Sequence, residues 1–301
     1  MDFDNVLTVV ATSPHPPLLR KQIQAVAGVL QAEGAQTSEP VWLDEGIAAD
    51  IFFSGSVGTE KVEAALAGAA VDCILQPVQH RRKKLLIADM DSTIIHQECL
   101  DELADAAGLK AEISAITEAA MRGELDFAEA LRARVGKLAG LPIAALEQTR
   151  QRLTLMEGAK ELVTTMRANG AACYLVSGGF RFFTRHIAEQ AGFNEDRGNE
   201  FMIENGHLTG QVVEPVLDKN SKLAALQEFA ARHSLSLEET LAVGDGANDL
   251  PMLLAAGLGI AYHAKPKVNQ QARARIRFSN LTALLYAQGY AGTAVNARLP
   301  V

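Results

Sequence analysis

A short apolar run, Leu85–Ala88, stops abruptly at two carboxylates, Asp89 and Asp91, which are followed by the hydroxyls of Ser92 and Thr93. Four consecutive apolar residues predict a strand that is buried on both faces. Open α/β sheets bind their ligands at the carboxyl ends of the strands, so this pair of acids is a candidate site for a hard cation and a phosphate. The motif alone also fits a solvated turn in which Asp91 or Ser92 caps the next helix.

Further apolar runs end in polar loops later in the chain. In order, they are Ala172–Val176 followed by Ser177-Gly178-Gly179, Thr240–Val243 followed by Gly244-Asp245-Gly246-Ala247-Asn248-Asp249, and Gly257–Tyr262 as a fourth strand. Strands that alternate with helices require right-handed crossovers and a parallel sheet. The sequence therefore predicts a Rossmann-like α/β core whose polar loops meet at one edge.

The side chains expected at this edge suit phosphoryl transfer. Mg²⁺ favours one or two carboxylates together with phosphate oxygens and water, which makes Asp89 and Asp245 the candidate ligands, with Asp91 as a further predicted metal residue. A carboxylate is ionised at pH 7, so Asp89 is the candidate nucleophile that forms an aspartyl-phosphate. Asp91 is the candidate general acid and base. The Ser177 hydroxyl, Lys222 and nearby amides are expected to neutralise the phosphoryl oxygens.

Each of these residues also has an ordinary explanation, such as a helix cap for Ser177, or a solvated position for Lys222 at the start of a helix predicted to run from Lys222 to about His233. Their joint occurrence at the ends of successive strands favours a site. The residues expected on the substrate side are Ser177, Gly178, Lys222 and Asn248, with Asp249 in a supporting role.

Helical spacing prevails between the first two strands of this core. The predicted helices are Glu98–Ala107, Glu112–Arg122, Phe127–Leu138 and Ile143–Arg152. They indicate a helical cap, inserted at about residues 97–153. A free-standing helical bundle is the weaker alternative, because about 55 residues are few for an independent core.

The N-terminal segment predicts a separate small domain. Its expected elements are a strand over Val6–Ala11, a helix over Leu18–Ala32, strands near Glu39–Leu43 and Ala48–Phe53, a helix over Thr59–Ala67 and a strand over Val71–Gln76. This βαββαβ order is typical of a sandwich with two helices on one face of an antiparallel sheet. We expect domains at residues 1–80 and 81–301.

Composition narrows the class of protein. The formal net charge of −8 argues against a general nucleic-acid or membrane-surface binder. Three distant cysteines, without a C-x-x-C pair, fit a reducing compartment and no metal cluster. The start of the chain lacks a basic segment, and the apolar stretch Met252–Tyr262 is short of the ~18 residues that a membrane span needs. The expectation is a cytoplasmic protein.

The ordered motifs resemble those of the haloacid dehalogenase (HAD) superfamily of phosphohydrolases. They are Asp89-Met90-Asp91-Ser92-Thr93, then Ser177, Lys222 and Gly244–Asp249. Three more stretches, at Glu98, Phe127–Arg134 and Asn205–Gly210, are similar to the phosphoserine phosphatase family within it. The resemblance, over roughly residues 83–290, implies Mg²⁺-dependent hydrolysis of O-phospho-L-serine, the last step of serine biosynthesis.

The same resemblance implies that Glu98 and Arg134 hold the amino-acid part of the substrate. Other activities left open are transfer of the phosphoryl group to another alcohol and hydrolysis of another small phosphomonoester. A regulatory protein with a silent catalytic domain is disfavoured by the intact motif set.

The N-terminal order resembles ACT-type amino-acid-sensing modules. The glycine that such modules often carry in the first strand-helix loop is missing from residues 12–17. Effector binding, assembly into a homodimer and plain scaffolding are the open roles of this domain.

Overall fold

The computed structural model describes residues 3–12, 16–122 and 124–295. These residues form two compact units. Unit 1 comprises the residues up to Lys83 together with those from Ala274 onward, and unit 2 runs from Lys84 to Arg273. Within the described ranges, no helix is both long enough and apolar enough to cross a bilayer.

Unit 1 begins with an antiparallel sheet and two helices. The elements are β1 (Asn5–Ala11), α1 (Pro16–Ala32), β2 (Gln36–Thr37), β3 (Val41–Asp44), β4 (Ala48–Ser54), α2 (Thr59–Ala65) and β5 (Val71–Pro77). The strand order is β2-β4-β1-β5, and β3 also pairs with β4. Apolar side chains of β1 and β4 pack with those of α1 and α2 in one core. The observed order matches the predicted βαββαβ order apart from the additional two-residue strand β2, and the ACT-like assignment stays a prediction. Residues 13–15 of the loop compared with ACT modules lie outside the described ranges.

Unit 2 is built on a parallel sheet. The strands of unit 2 are β6 (Leu85–Ala88), β7 (Ala172–Phe180), β8 (Glu195–Asn199), β9 (Phe201–Glu204), β10 (His207–Val212), β11 (Thr240–Gly244) and β12 (Leu258–Tyr262). The order β12-β11-β6-β7-β8 places β6 between β11 and β7, and β9 pairs with β10 as a separate hairpin. The four strands predicted for the core are all present.

The register of the three central strands determines which loops meet. Ala88, the last residue of β6, pairs with Val243 of β11 and with Leu175 of β7. The chains leave the sheet side by side just beyond this point. The parallel register therefore brings the loop at Asp89 beside those at Ser177 and Asp245, as the sequence predicts.

The helices of unit 2 complete the fold. They are α3 (Cys99–Asp105), α4 (Lys110–Met121), α5 (Phe127–Gly136), α6 (Ile143–Arg150), α7 (Ala159–Ala168), α8 (Arg181–Ala191), α9 (Lys219–Arg232), α10 (Leu250–Ala255) and α11 (Pro266–Gln271). Helices α3 to α6 form the predicted cap. Asp126 starts α5 as an N-cap, because its carboxylate accepts a hydrogen bond from the Glu129 amide at 3.0 Å.

Three local features differ from the sequence predictions. Strand β7 continues through Ser177-Gly178-Gly179 to Phe180, with a register irregularity after Val176, where the sequence predicted the strand to end. Helix α9 starts at Lys219 and not at Lys222, because Asp218 caps it and forms a capping box with Ser221. Strand β8 was not predicted, because the polar sequence Glu-Asp-Arg-Gly-Asn has no apolar run.

The C-terminal part of unit 1 comprises β13 (Ala274–Ile276), α12 (Ala283–Ala287) and α13 (Gly292–Val295). The buried carboxylate of Asp72 accepts hydrogen bonds from the amides of Arg277, Phe278 and Ser279 at 2.8, 3.1 and 2.7 Å. This carboxylate satisfies three backbone donors of the C-terminal segment. The units therefore differ from the predicted limits of 1–80 and 81–301 at their C-terminal end.

Candidate active site

The two carboxylates after β6 are both buried but have different partners. Asp91 Oδ1 accepts a hydrogen bond from the Cys99 amide at 2.9 Å, and Asp91 Oδ2 lies 3.4 Å from the Ser177 hydroxyl. Asp89 Oδ1 lies 2.7 Å from the Lys222 ammonium. Burial raises the pKa of both carboxyls, and the charge of Asp249 raises that of Asp89 further. Neither acid occupies the solvated turn that was the alternative explanation of the motif.

Lys222 is a buried cation shared by two carboxylates. Its ammonium lies 2.7 Å from Asp89 Oδ1 and 2.5 Å from Asp249 Oδ1. Burial alone lowers the pKa of this lysine, but the two carboxylates outweigh burial and raise the pKa above its usual value. Lys222 therefore stays charged beside the predicted nucleophile. Solvation at a helix surface does not describe it.

The loop after β11 is folded around Asp249. Its Oδ2 accepts a hydrogen bond from the Gly246 amide at 3.0 Å while its Oδ1 binds Lys222. A Cβ on Gly244 would overlap the Asp249 carboxylate, so only glycine fits there. Asp249 thus orients the lysine and the loop together.

The glycines after Ser177 let other groups approach the strand end. The Ser177 hydroxyl accepts a hydrogen bond from the Gly179 amide at 2.8 Å. A Cβ on Gly179 would lie 2.8 Å from Asp91 Oδ2, which is too close for an unbonded pair. A Cβ on Gly178 would overlap the ring of Phe127 from the cap. The Gly-Gly sequence therefore brings Ser177, Asp91 and the cap together.

A group of carboxylates suited to a metal ion lies at the sheet edge. Among the described residues, the group whose ligand oxygens lie within 4.8 Å of one another consists of Asp89, Asp245 and Asp249. The predicted ligand Asp91 is not part of this group. Thr93 lies 3.4 Å from Asp245 Oδ1. Burial, and then the charge of Asp249, raise the pKa of Asp245 to about 7. This excess of negative charge is what a bound divalent cation relieves.

The donor set is consistent with Mg²⁺. Both oxygens of Asp249 accept hydrogen bonds, from Lys222 and the Gly246 amide. Among the described residues, no donor reaches Oδ2 of Asp89 or Oδ2 of Asp245. Two carboxylates with open oxygens match the small number of protein ligands that Mg²⁺ uses.

The cap supplies one acidic and one basic side chain, Glu98 and Arg134, on the other side of the site. Glu98, at the start of α3, accepts a hydrogen bond from the Ser92 hydroxyl at 2.7 Å. Arg134, buried on α5, donates to the Ala130 carbonyl at 3.2 Å and to the Thr117 hydroxyl at 3.0 Å. Burial raises the pKa of the Glu98 carboxyl well above its usual range and lowers the pKa of Arg134. These two residues are not solvated charges on a helix surface.

One cavity joins the two sides. It is lined by Asp89, Asp91, Glu98, Cys99, Leu100, Phe127, Leu131, Arg134, Ser177, Gly178, Gly179 and Asn248. Its volume is about 20 Å³, which is room for about one water molecule, so a larger ligand requires the lining residues to move apart. Asn248 is buried, and its Oδ1 has no hydrogen-bond partner among the described residues. A polar ligand in the cavity is the natural partner for this atom.

All ten predicted site residues therefore lie together. Asp89, Asp91, Ser177, Gly178, Asn248, Glu98 and Arg134 line the cavity, while Lys222, Asp245 and Asp249 surround the Asp89 carboxylate. No role was predicted for Phe127, Cys99 or Thr93. An aromatic residue directly after the helix cap Asp126 was the signal available for Phe127. Cys99 contributes its backbone amide and not its side chain, so its residue type gave no comparable signal.

Comparison with known proteins gives concordant matches. The family model described as haloacid dehalogenase-like hydrolase matches residues 86–254. Phosphoserine phosphatase SerB2 of Mycobacterium tuberculosis is 45% identical over 209 residues, which make up 69% of this chain and 51% of that protein. The chain spans between 51% and 64% of the length of the first four curated relatives that it matches.

Solved structures agree with this result. A phosphoserine phosphatase structure described as a phospho-aspartyl intermediate analogue has a TM-score of 0.66 at 40% identity, covering 68% of this chain and 98% of that one. A HAD family hydrolase of Salmonella enterica serovar Typhi has a TM-score of 0.80 at 27% identity, covering 98% of this chain and all of that one (100%).

Proposed function

The chain belongs to the haloacid dehalogenase-like hydrolases, and we propose that it hydrolyses O-phospho-L-serine to L-serine and phosphate. One observation carries this proposal. A single cavity is lined by Asp89, Asp91 and Ser177 from the loops of the sheet and by Glu98 and Arg134 from the cap. The first set suits a phosphoryl group, and the second suits a carboxylate and an ammonium. A phosphorylated amino acid has all three groups.

Asp89 is the proposed nucleophile. Its Oδ1 lies 2.7 Å from the Lys222 ammonium, whose charge opposes the rise in pKa that burial causes. Attack of a carboxylate oxygen of Asp89 on phosphorus forms an aspartyl-phosphate and breaks the bond to the serine oxygen. A structural relative at 40% identity, described as an analogue of a phospho-aspartyl intermediate, supports this route.

Asp91 is the proposed acid and base. Burial raises the pKa of its carboxyl, so it retains a proton more readily than an exposed aspartate does. In the first half-reaction it gives this proton to the departing serine alkoxide. In the second it takes a proton from a water molecule, whose oxygen attacks phosphorus and releases phosphate from Asp89. Asp91 then carries the proton with which the cycle began.

The phosphoryl oxygens need donors and positive charge. The Lys222 ammonium lies 2.7 Å from Asp89 Oδ1, and Ser177 and Gly178 line the same cavity as Asp89 and offer a hydroxyl and an amide. Asn248 lines the same cavity, and its Nδ2 is the group of this side chain that can donate to a phosphoryl oxygen. Such fixed donors act where charge is redistributed during transfer and require little reorganisation.

The substrate's amino-acid part would contact the cap. The Arg134 guanidinium can form two parallel hydrogen bonds with a carboxylate, whereas the Glu98 carboxylate suits an ammonium. Among the described residues, Arg134 Nη2 makes no hydrogen bond, which leaves one arm of the guanidinium for a ligand. Closure of the cap over this part also excludes water from Asp89.

Asp89 and Asp245 would hold a Mg²⁺ ion. Their open oxygens and the raised pKa of Asp245 support this assignment. When bound, the cation supplies positive charge that offsets both the clustered carboxylates and the phosphoryl oxygens.

The proposal is tested by measuring phosphate release from a panel of phosphomonoesters, with and without Mg²⁺. We expect O-phospho-L-serine to have the highest kcat/KM and activity to require the metal. An added alcohol acceptor separates hydrolysis from phosphoryl transfer, because a transferase forms a new phosphoester at the expense of free phosphate. A clear preference for a phosphoester without a carboxylate contradicts the proposed substrate.

A further inference from the structure

Three buried polar side chains from three cap helices form a hydrogen-bonded row that ends at the cavity. Arg134 Nη1, on α5, donates to the Thr117 hydroxyl on α4 at 3.0 Å. The Thr117 hydroxyl lies 2.7 Å from Asp101 Oδ1 on α3. All three side chains are at least nine-tenths buried. Burial of these side chains costs free energy, because isolated charges are costly to remove from water, so their burial requires a structural or functional explanation.

The direction of each hydrogen bond follows from the chemistry. A guanidinium only donates, so the Thr117 oxygen is the acceptor in the first bond. The single hydroxyl hydrogen of Thr117 has two acceptors in reach, Asp101 Oδ1 at 2.7 Å and the Ile113 carbonyl at 3.1 Å. The charged and nearer acceptor is favoured. Thr117 thus accepts from a cation and donates to an anion.

This arrangement keeps part of the guanidinium free. A carboxylate in direct contact with arginine commonly occupies two of its N–H groups. Among the described residues, Arg134 has no carboxylate within ion-pair distance, and Thr117 lies between it and Asp101. Asp101 therefore supplies negative charge near Arg134 without occupying Nη2. The guanidinium is held in place and still has a free arm, and Arg134 lines the cavity.

We propose that Thr117 and Asp101 are positioning residues, which orient Arg134 toward the carboxylate of the substrate and so favour amino-acid phosphates over phosphoesters that lack a carboxylate. This inference rests on the proposed function, since it concerns the amino-acid end of the same cavity. Neither residue lines the cavity. Both act through the arginine.

The cap also contains a matched control. Thr149, on α6, is a fully buried threonine whose hydroxyl has no hydrogen-bond partner among the described residues. Thr117→Val and Thr149→Val make the same chemical change in the same cap. Only the first removes a hydroxyl that links Arg134 to Asp101. Thr117→Ser keeps that hydroxyl and removes only a methyl group.

The experiment compares steady-state kinetics on O-phospho-L-serine and on p-nitrophenyl phosphate, which has no carboxylate. Thr117→Val is expected to raise KM for phosphoserine about tenfold or more, the usual effect of losing a hydrogen bond to a charged group. Its kcat, and both constants for the aryl phosphate, should change by less than about threefold. Thr117→Ser and Thr149→Val should stay within about twofold of the wild type for both substrates.

Asp101→Asn tests whether the negative charge of Asp101, and not only its size, is needed to position Arg134. The asparagine keeps the size and the acceptor oxygen but removes the negative charge, so KM for phosphoserine should rise while the aryl phosphate is unaffected. If thermal unfolding shows that Thr117→Val does not fold, Asp101→Asn tests the inference in its place. An unchanged KM in Asp101→Asn would then overturn the inference.

Other outcomes have equally definite meanings. An equal loss by Thr117→Val on both substrates, or the same rise in KM in Thr149→Val, indicates a merely structural role and overturns the inference. A wild-type enzyme that hydrolyses the aryl phosphate but not phosphoserine overturns the proposed function, and this inference with it. Normal wild-type activity with an unaffected Thr117→Val variant overturns this inference alone.

Discussion

The ring of Phe127, at the start of cap helix α5, fills the space into which a Cβ on Gly178 would project. Gly178 lies in β7, next to the Ser177 hydroxyl at the end of the sheet that carries the site. Because no side chain separates them, the cap ring contacts the backbone of the core directly. Phe127 and Gly178 both line the cavity that contains Asp89 and Asp91.

Gly178→Ala should therefore impair closure of the cap. The added methyl overlaps the Phe127 ring, and such overpacking typically costs about 1–3 kcal/mol. We expect kcat/KM for phosphoserine to fall by roughly tenfold to a hundredfold while the fold persists. Steady-state kinetics and thermal unfolding of the variant measure the two effects.

A double variant identifies the cause of that loss. Phe127→Ala frees the space that the methyl needs, so adding Gly178→Ala to Phe127→Ala should cost much less than Gly178→Ala does in the wild type. Gly206→Ala, in the exposed β-hairpin turn, is an unsuitable control because Gly206 has a positive φ of 76°. Gly28→Ala, where no atom lies within 4 Å of the added Cβ, is the suitable one. Equal losses in both backgrounds would contradict steric overlap.

Asp89→Asn should abolish turnover without unfolding the protein. An amide oxygen is a poor nucleophile, so phosphate release should fall by at least about a thousandfold. Asp245→Asn should retain more activity and mainly require more Mg²⁺ for half-maximal rate, because it removes a ligand and not the attacking atom. Near wild-type phosphatase activity in Asp89→Asn would refute the proposed mechanism.

The site could be anticipated from sequence to the extent that apolar runs mark parallel strands. Once Leu85–Ala88 and Thr240–Val243 are read as neighbouring strands, the parallel register brings Asp89 and Asp245 together. Apolar patterning also predicted the four cap helices to within a few residues at each end. These features are local or follow from a general rule of sheet topology.

Other features depend on contacts between distant residues. Strand β8 is polar and half-buried at a sheet edge, so its sequence resembles a loop. The overlap of Phe127 with Gly178 and the row from Asp101 to Arg134 require the packing of separate helices, which no periodicity encodes. The start of α9 is different, because Asp218 and Ser221 form a capping box, which is a local signal that the sequence itself carries.

The stability of the metal-free protein should fall as the pH rises from about 4 to 7. Burial and Asp249 raise the pKa of Asp245 from its ordinary 3.8 to about 7, so within this range the folded protein binds a proton that the unfolded chain has lost. Unfolding free energy then decreases with increasing pH and levels off above about 7. Thermal unfolding in a chelator at pH 5, 6, 7 and 8 measures this decrease.

Two comparisons assign that pH dependence to the carboxylate cluster. Asp245→Asn removes the titrating group and should reduce the slope between pH 5 and 7. Added Mg²⁺ should raise the unfolding midpoint more at pH 8 than at pH 5, because binding requires the deprotonated ligand. A metal-free slope that is unchanged in Asp245→Asn would assign the effect to other groups.

Arg134→Ala should impair binding of phosphoserine selectively. Loss of a charge-assisted pair with the substrate carboxylate costs roughly 2–4 kcal/mol, which corresponds to an increase in KM of about 30-fold to 1,000-fold. The KM for p-nitrophenyl phosphate should change far less. Arg132→Ala on the same helix is the control, because Arg132 is exposed and pairs with Glu214 at the surface. Equal losses on the two substrates would give Arg134 a structural role.

Asp91→Asn should separate the two half-reactions. Transfer of the phosphoryl group to Asp89 requires a proton only when the leaving alkoxide is poor, as that of serine is. A nitrophenolate leaves without one. With p-nitrophenyl phosphate, the variant should therefore release a burst of nitrophenol about equal to the enzyme concentration, followed by very slow turnover. Phosphoserine should give neither burst nor turnover.

Rapid-quench measurement of nitrophenol release tests the predicted burst. The slow phase after the burst reports the second half-reaction. Hydrolysis of the aspartyl-phosphate needs a base for water whatever the leaving group was, so it should be slow for every substrate once Asp91 is neutralised. Burst amplitude should scale with enzyme and vanish in the double variant Asp89→Asn/Asp91→Asn, which has no carboxylate to phosphorylate. Fast steady-state turnover without a burst would show that Asp91 is not the acid and base. Thr93, which is buried beside Asp245, would then be the next residue to test.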